Sequence, residues 1–479
     1  MSSAAAPAAA TTPARTADLF APGLRGLTLG IVSTVTLVAL ESLAIGTAVA
    51  VVAEELGGIE LFGWVYSAFF LGTLIGTVVA GGALDRFPLH GPFTIGLVLF
   101  AAGLLLGGLA PTMPILILAR FIQGLGGGAV APTAYVAIGR CLPEHLQPRM
   151  FAMMSAAWLV PGIIGPSLAA VVVQLAGWRW VFLGLLPLLA IAGGLAVLSL
   201  RRLATAAPPE EHAAAASTLR RIPGALVAAI GAGILLAALT VQDLLLAVGM
   251  AVVGLALLVP AYRRLTPPGT LRLARGVPAA VFVRGLMTFA FFSADALLSA
   301  LLQTWLDRPP VLTGVVFTVT TVAWSGATWF QARRIDRVGP VRFVALGFAL
   351  IALGSALTIP IALRLLPPEA TIVTWFFPGV GMGLMYSAAT LVVLRRSEVA
   401  EQGSNSAALQ LSDILGTALG AGVGGALLAA GERSGGDAIG VALALVFVVS
   451  LAASVVGMLS AGRLGAVPHV REASAGGVD

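Results

Sequence analysis

Fourteen apolar stretches, each about long enough to cross a bilayer, follow one another along this chain, and they constrain its fold more than any other feature. A helix rises about 1.5 Å per residue, so about 20 apolar residues span the hydrocarbon core. Windows of about 19 residues place the spans at roughly 27–53, 61–84, 92–110, 114–138, 148–175, 180–200, 223–241, 244–262, 277–303, 311–332, 341–363, 371–394, 404–430 and 437–461. The seventh and eighth are parted only by Thr240-Val241-Gln242-Asp243; without that break the count is thirteen. Backbone groups find no water in lipid, so such spans are helical. Only 10% of the 479 residues are charged and 58% are hydrophobic, whereas soluble domains carry about 25% charged residues. The expected class is an all-α, multi-pass membrane protein whose constant partner is the lipid bilayer.

Charge placement orients it. All 27 basic side chains are arginine. With the N-terminus in the cytoplasm, the outer segments hold only Arg179, Arg308, Arg364 and Arg433. Inner segments and helix ends hold, among others, Arg201, Arg202, Arg220, Arg221, Arg263, Arg264, Arg333, Arg334, Arg337, Arg395 and Arg396. This is a positive-inside pattern, and an even span count returns the C-terminus to the cytoplasm. The net charge of +6 therefore reads as topology and not as a nucleic-acid signal. The single cysteine, Cys141, excludes an internal disulfide and is expected free in a cytoplasmic loop. Residues 1–26 read as a cytoplasmic tail without the long apolar core of a cleaved signal, and residues 462–479 as a second tail. The expected location is the inner (plasma) membrane.

Two inner segments, Arg201–Arg221 and Arg263–Gly276, carry proline pairs flanked by arginines, as linkers do. They divide the chain into a six-helix bundle at 27–200, linkers with two inserted helices at 201–276, and a second six-helix bundle at 277–461. Asp85-Arg86 follows the second span and Asp336-Arg337 the tenth, which places the same dipeptide in a short inner loop at matched points of each half.

Charges inside spans are the candidates for function, because an ionisable side chain at bilayer depth costs roughly 2.5–3.5 kcal/mol on insertion scales. Glu41 lies in the middle of the first span, Arg120 in the fourth, Asp295 midway along the ninth and Asp413 midway along the thirteenth. Arg120 keeps its proton and has five donors to satisfy, so bonds to Glu41, Gln123 or a carbonyl of the first helix are expected. Arg284 is near the inner end of its span and is expected to snorkel. Trp64, Trp178, Trp180, Trp305 and Trp375 fall near outer helix ends and read as interfacial aromatics. For the buried acids the alternative is a hydrogen bond that serves packing alone.

Several motifs occur in a telling order: Leu40-Glu41-Ser42; Trp64-Val-Tyr-Ser-Ala-Phe69; Gly81 to Asp85-Arg86; Arg120-Phe-Ile-Gln123-Gly124-Leu-Gly126; Pro161-Gly162-Ile-Ile-Gly165-Pro166; and Gly177-Trp178-Arg179-Trp180-Val-Phe182. In this order the chain resembles the fourteen-helix drug:proton antiporter branch of the major facilitator superfamily. It departs from it in Glu41, where many relatives have Asp, in Phe69 for Tyr, and in Pro88-Leu89 for glycine and a basic residue. The resemblance implies two six-helix bundles plus two inserted helices and alternating access. Proton coupling is expected at Glu41, Arg120, Asp295 and Asp413, the ionisable residues well inside the spans. Ser42, Gln123, Trp158 and Gln410 are candidates for the substrate cavity. Asp85, Arg86, Gly162, Gly165, Pro166, Asp336 and Arg337 are candidates for gating.

The expected function is proton-coupled export of hydrophobic or cationic small molecules by a monomer, driven by the proton-motive force with no cofactor. A dedicated exporter of a lipid, siderophore or antibiotic, or an uptake symporter, would use the same fold. Gly124, Gly126, Gly127 and Gly128 lie in a membrane span with no Lys-Ser/Thr after them, which excludes a phosphate loop. His90, His145, His212 and His469 are scattered, and neither a metal site nor a catalytic triad is visible, so an enzyme is not expected.

Overall fold

The structure, a computed structural model, describes residues 16–84, 86–143, 145–203, 213–398 and 401–465; the side chains of residues 16, 17, 148, 213–221 and 336 fall outside the description. Fourteen helices carry the fold. They are α1 Arg25–Leu56, α2 Phe62–Leu84, α3 His90–Gly108, α4 Met113–Cys141, α5 Gln147–Ala176, α6 Arg179–Leu203, α7 Ala213–Ala238 and α8 Leu244–Leu265. The remainder are α9 Val277–Trp305, α10 Pro310–Val338, α11 Pro340–Ala362, α12 Thr371–Arg396, α13 Gln402–Ser434 and α14 Ala438–Ser460. Among the described residues thirteen helices are long and apolar enough to cross a membrane, and the α7 stretch Ile222–Ala238 is a shorter apolar helix.

Helix ends depart from the apolar windows. The second Asp-Arg pair, expected in a loop, sits in the last turn of α10, because the backbone ladder continues beyond the apolar run. It stops at Gly339, whose φ of 83° breaks the helix before Pro340 starts the next one. Likewise α7 begins at Ala213, inside the segment read as a linker, and Cys141 is the last residue of α4, free and half-buried. Hydropathy marks where lipid ends, not where hydrogen bonding ends.

In the first half, α2 and α3 pack along α4, and α1 packs along α5 and α6; in the second, α9 packs along α13 and α14, and α11 along α12 and α14. Small residues set the closest approaches. A methyl group at Gly124 or Gly128 of α4 would strike the carbonyl oxygens of Phe69 and Thr73 on α2. The glycine run of α4 is thus a helix-contact stripe.

The halves meet along two seams. On one, Gly63 of α2 lies against Gly425 of α13, and Ser67 Oγ donates to the Ala418 carbonyl at 2.8 Å. On the other, Ser167 of α5 and Thr318 of α10 share a hydrogen bond of 2.9 Å, and Gln303 of α9 donates to the Thr47 carbonyl of α1 at 3.0 Å. These contacts cluster toward the distal face, where α1 ends and α2 begins. The inserted helices α7 and α8 cover the α2/α13 seam from outside. Leu71 and Leu74 of α2, Ala228, Ala229 and Ala232 of α7, Leu258 and Ala261 of α8, and Leu411, Leu415 and Ala418 of α13 form one apolar cluster. Tyr262 of α8 also hydrogen-bonds Ser412 of α13 at 2.6 Å. Only 17% of the most apolar window of α8 is buried, against 72% for α1, so its other faces are left to lipid.

Candidate functional site

Two ion pairs stand inside the helical body. The first joins Glu41 of α1 to Nη1 of Arg120 on α4, both essentially without exposure. Arg120 Nη1 also donates to Gln123 Oε1 at 3.0 Å, and its Nε donates to the Val65 carbonyl at 3.2 Å. The guanidinium lies over the Phe69 ring, 4.3 Å from its centroid. Of the three partners expected for Arg120, two are found; the carbonyl comes from α2 and not from α1. The reason is the α2/α4 glycine contact, which brings the α2 backbone within reach. Glu41 Oε2 and Gln123 Nε2 are buried without a partner, so the pair is not fully satisfied.

The second pair joins Arg284 of α9 to Asp413 of α13, Nε to Oδ1 at 2.8 Å. Arg284 Nη1 donates to the Tyr386 carbonyl at 2.7 Å and to Thr390 Oγ1 at 3.3 Å. Tyr386 Oη donates to Asp413 Oδ2 at 2.9 Å, and the guanidinium stacks 3.1 Å from the Tyr386 ring centroid. The snorkelling expected of Arg284 is therefore wrong: its residue exposure is 4%. An acid on the facing helix and a tyrosine on α12 partner the charge inside the helical body, and the sequence distance between them hid it.

Asp295 of α9 accepts from Nε1 of Trp375 at 2.8 Å. Trp375 has no exposed surface and Trp178 has 1%. Neither is an interfacial aromatic: Trp375 serves Asp295, and Trp178 donates to Glu55 Oε2 at 2.9 Å. Trp180 is 55% exposed, as an interfacial residue is.

The remaining candidates scatter. Ser42 is turned into its own helix, donating to the Val38 carbonyl at 2.8 Å. Trp158 and Gln410 are exposed. Gly162 and Gly165 pack against Thr321 of α10 and Leu40 of α1, and the Pro166 carbonyl accepts from Thr47 Oγ1 at 3.3 Å. The α5 bend residues thus sit where α1, α5 and α10 meet. Arg86 and Arg337 are exposed; Asp85 and the Asp336 side chain lie outside the described residues. Tyr66, Ser299, Tyr386 and Trp375 were not singled out as site residues. The intramembrane-charge rule, applied to Arg284 as it was to Arg120, would have asked for the Asp413–Tyr386 partnership. Among the described residues no group of three His, Cys, Asp or Glu is placed to hold a metal.

Comparisons with known proteins agree with this architecture. The chain is 25% identical over 422 residues to a probable multidrug-efflux transporter of Mycobacterium tuberculosis, covering 84% of this chain and 87% of that one. It is 24% identical over 420 residues to the multidrug efflux pump SdrM of Staphylococcus aureus, covering 86% and 92%. A shorter match to multidrug resistance protein 3 of Bacillus subtilis is 32% identical over 157 residues and spans 33% of this chain and 30% of the relative. Among solved structures, a POT family transporter in complex with 5-aminolevulinic acid superposes with a TM-score of 0.67 at 15% identity, covering 92% of this chain and 96% of that one. A D-xylose-proton symporter does so with a TM-score of 0.61 at 15% identity, covering 93% and 98%; at such identity the likeness is one of fold. The sequence model of the Major Facilitator Superfamily matches residues 31–332, more than half of the chain. With its membrane-length helices in two packed halves and an ion pair buried within each, this chain belongs to the Major Facilitator Superfamily and is a multi-pass membrane transporter.

Proposed function

We propose that this protein is a proton-coupled antiporter that exports hydrophobic and cationic small molecules. It works as a monomer in the plasma membrane with both termini cytoplasmic. The observation that carries the reading is the Glu41–Arg120 pair. It is fully buried, its arginine also holds the Val65 carbonyl two residues from the Ser67 seam contact, and one Glu41 oxygen has no partner. The long relatives, whose names describe multidrug efflux, support the substrate class.

The cycle follows from one acid serving two states. With the distal seams closed, Glu41 is paired with Arg120 and substrate enters from the terminal side. When the distal side opens, Glu41 takes a proton from outside, Arg120 is released and substrate leaves. Return to the first state sends the proton inward and restores the pair. Asp413, 20% exposed beside Arg284, is the second acid and the first that a cation entering from the cytoplasm meets. Arg86 and Arg337 close the cytoplasmic side with Asp85 and Asp336, while Gly162, Gly165 and Pro166 let α5 slide on α10.

A proton moving inward gains about 2.3 kcal/mol per 100 mV and about 1.36 kcal/mol per pH unit. If one monovalent cation leaves per proton, the voltage contribution cancels and the pH gradient alone drives export. The test is dye efflux in inverted vesicles under an imposed pH step, with wild type and Glu41→Gln. Loss of uphill transport with binding retained is expected; uphill pumping at the wild-type rate by the amide variant overturns the reading.

A further inference from the structure

Asp295 takes no part in the cycle above, yet it lies at the end of the one open face of α9. The half-buried residues along the inner length of that helix are Phe282, Gly285, Leu286, Phe289, Phe292 and Asp295. Spacings of three and four put them on one helix face. The Phe292 ring meets the Phe70 ring of α2, centroids 6.1 Å apart, so this face looks toward the other half and not toward lipid. Past Asp295 the exposure stops, and residues 296–302 are all buried. On α1 it stops after Leu43, with residues 44–50 buried. The opening between the halves, entered from the terminal side, therefore ends at Asp295. Among the described residues Asp295 belongs to no ion pair. Its one hydrogen bond comes from Trp375 to Oδ1, which leaves Oδ2 without a donor.

Aromatic rings surround this acid. Phe291, one turn back along α9, stands edge-on to Phe292 at 5.0 Å and to Trp324 of α10 at 5.7 Å, and lies 6.0 Å from Trp375. Trp324 in turn meets Tyr386 of α12 at 5.7 Å. Phe292, Trp324 and Tyr386 are all half-buried. Ring faces attract cations, most strongly where water is excluded. Neither buried arginine cancels the attraction. Arg120 is paired with Glu41 and Arg284 with Asp413, and Arg284 lies about 16 Å along α9 from Asp295, at about 1.5 Å per residue.

We propose that Asp295, with the rings of Phe292 and Trp324, is the site that holds the exported substrate, and that it selects a monovalent organic cation bearing aromatic rings. The inference rests on the export reading above and adds to it the residue that recognises the cargo. The positive centre sits against Oδ2, and the rings of the ligand lie on Phe292 and Trp324. Trp375 fixes the carboxylate through Oδ1 before the ligand arrives, so less freedom is lost on binding. A neutral molecule of similar shape gains the ring contacts but not the charge.

Equilibrium binding tests this without any gradient, so its outcome is separate from that of the efflux assay. Purified full-length protein in lipid nanodiscs is titrated calorimetrically with tetraphenylphosphonium and with neutral triphenylphosphine oxide, and the heat from empty nanodiscs is subtracted. Asp295→Asn keeps the shape and the acceptor for Trp375. It is expected to raise the Kd of the cation about tenfold and to leave that of the oxide within about twofold. Asp295→Glu is expected to recover most of the cation affinity, which a merely structural acid would not do. Trp324→Leu is expected to weaken the cation about fivefold, and it serves alone should Asp295→Asn not fold. The proposal is overturned if the cation does not bind wild type, if either variant binds it as wild type does, or if Asp295→Asn weakens cation and oxide equally. Uphill export by Glu41→Gln would overturn the coupling reading and leave these binding constants standing.

Discussion

The Glu41–Arg120 pair and the Arg284–Asp413 pair each hold an acid against an arginine at bilayer depth, but they are built differently. In the first, neither side chain has meaningful exposure, the arginine is shared among an acid, an amide and a carbonyl, and one carboxylate oxygen is left over. In the second, both oxygens of Asp413 are bonded, Tyr386 both donates to the acid and stacks on the arginine, and the acid is 20% exposed. Desolvating two ions is repaid only when the remaining donors and acceptors are satisfied. The first pair is therefore poised to change and the second is built to stay. The difference teaches that a charge in a membrane helix is a question about its surroundings, not about its depth.

That contrast can be broken by substitution. Arg120→Ala leaves Glu41 buried without a cation, and breaking such a pair costs about 3–5 kcal/mol. The expected result is the largest fall in thermal stability of any variant here, with loss of uphill transport. Glu41→Gln in the same chain is expected to recover the stability but not the transport. Differential scanning fluorimetry beside vesicle efflux reads both.

Asp413→Asn keeps Tyr386 and the shape of the side chain, so the charged hydrogen bonds lost amount to about 1.5–3 kcal/mol. Efflux of a cationic dye is expected to fall more than efflux of a neutral one. An equal fall would make the second pair structural only. A third substitution sharpens the difference in depth. Valine at Gly425 crowds the Gly63 backbone, and overpacking of this kind costs about 1–3 kcal/mol. It is expected to part α2 from α13, so that a cysteine placed at Ser67 is labelled faster from the distal side while one at Thr390 is unchanged.

The smallest effect is expected at the rim. Glu55 and Arg179 pair there with 49% and 39% of their side chains exposed, and pairs of this kind contribute about 0–1 kcal/mol. Glu55→Gln should leave both the melting temperature and transport close to wild type.

Much of the fold was legible because hydropathy is local. Each span announces itself within its own 20 residues, and Asp243, the residue that caps α8 by accepting from the Leu246 amide at 2.7 Å, marks the break between the inserted helices. Glu41 and Arg120 were legible because a charge in an apolar run stands out alone. What stayed hidden depends on neighbours. Arg284 looked like a snorkelling residue because its partners lie 102 to 129 positions away. Trp375 looked interfacial because it is near a helix start, and only the packing of α12 on α9 shows that it donates to Asp295.

By itself the sequence determined that the chain crosses a membrane many times, that Glu41, Arg120, Asp295 and Asp413 lie inside its spans, and which family its motifs follow, since each of these is fixed by residues close in the chain. Only the tertiary structure decided which acid meets which arginine, that α7 and α8 cover the α2/α13 seam, and that Trp375 donates to Asp295. Lipid offers no preferred partner to a buried polar group, so its partner is whichever helix the small-residue contacts bring near.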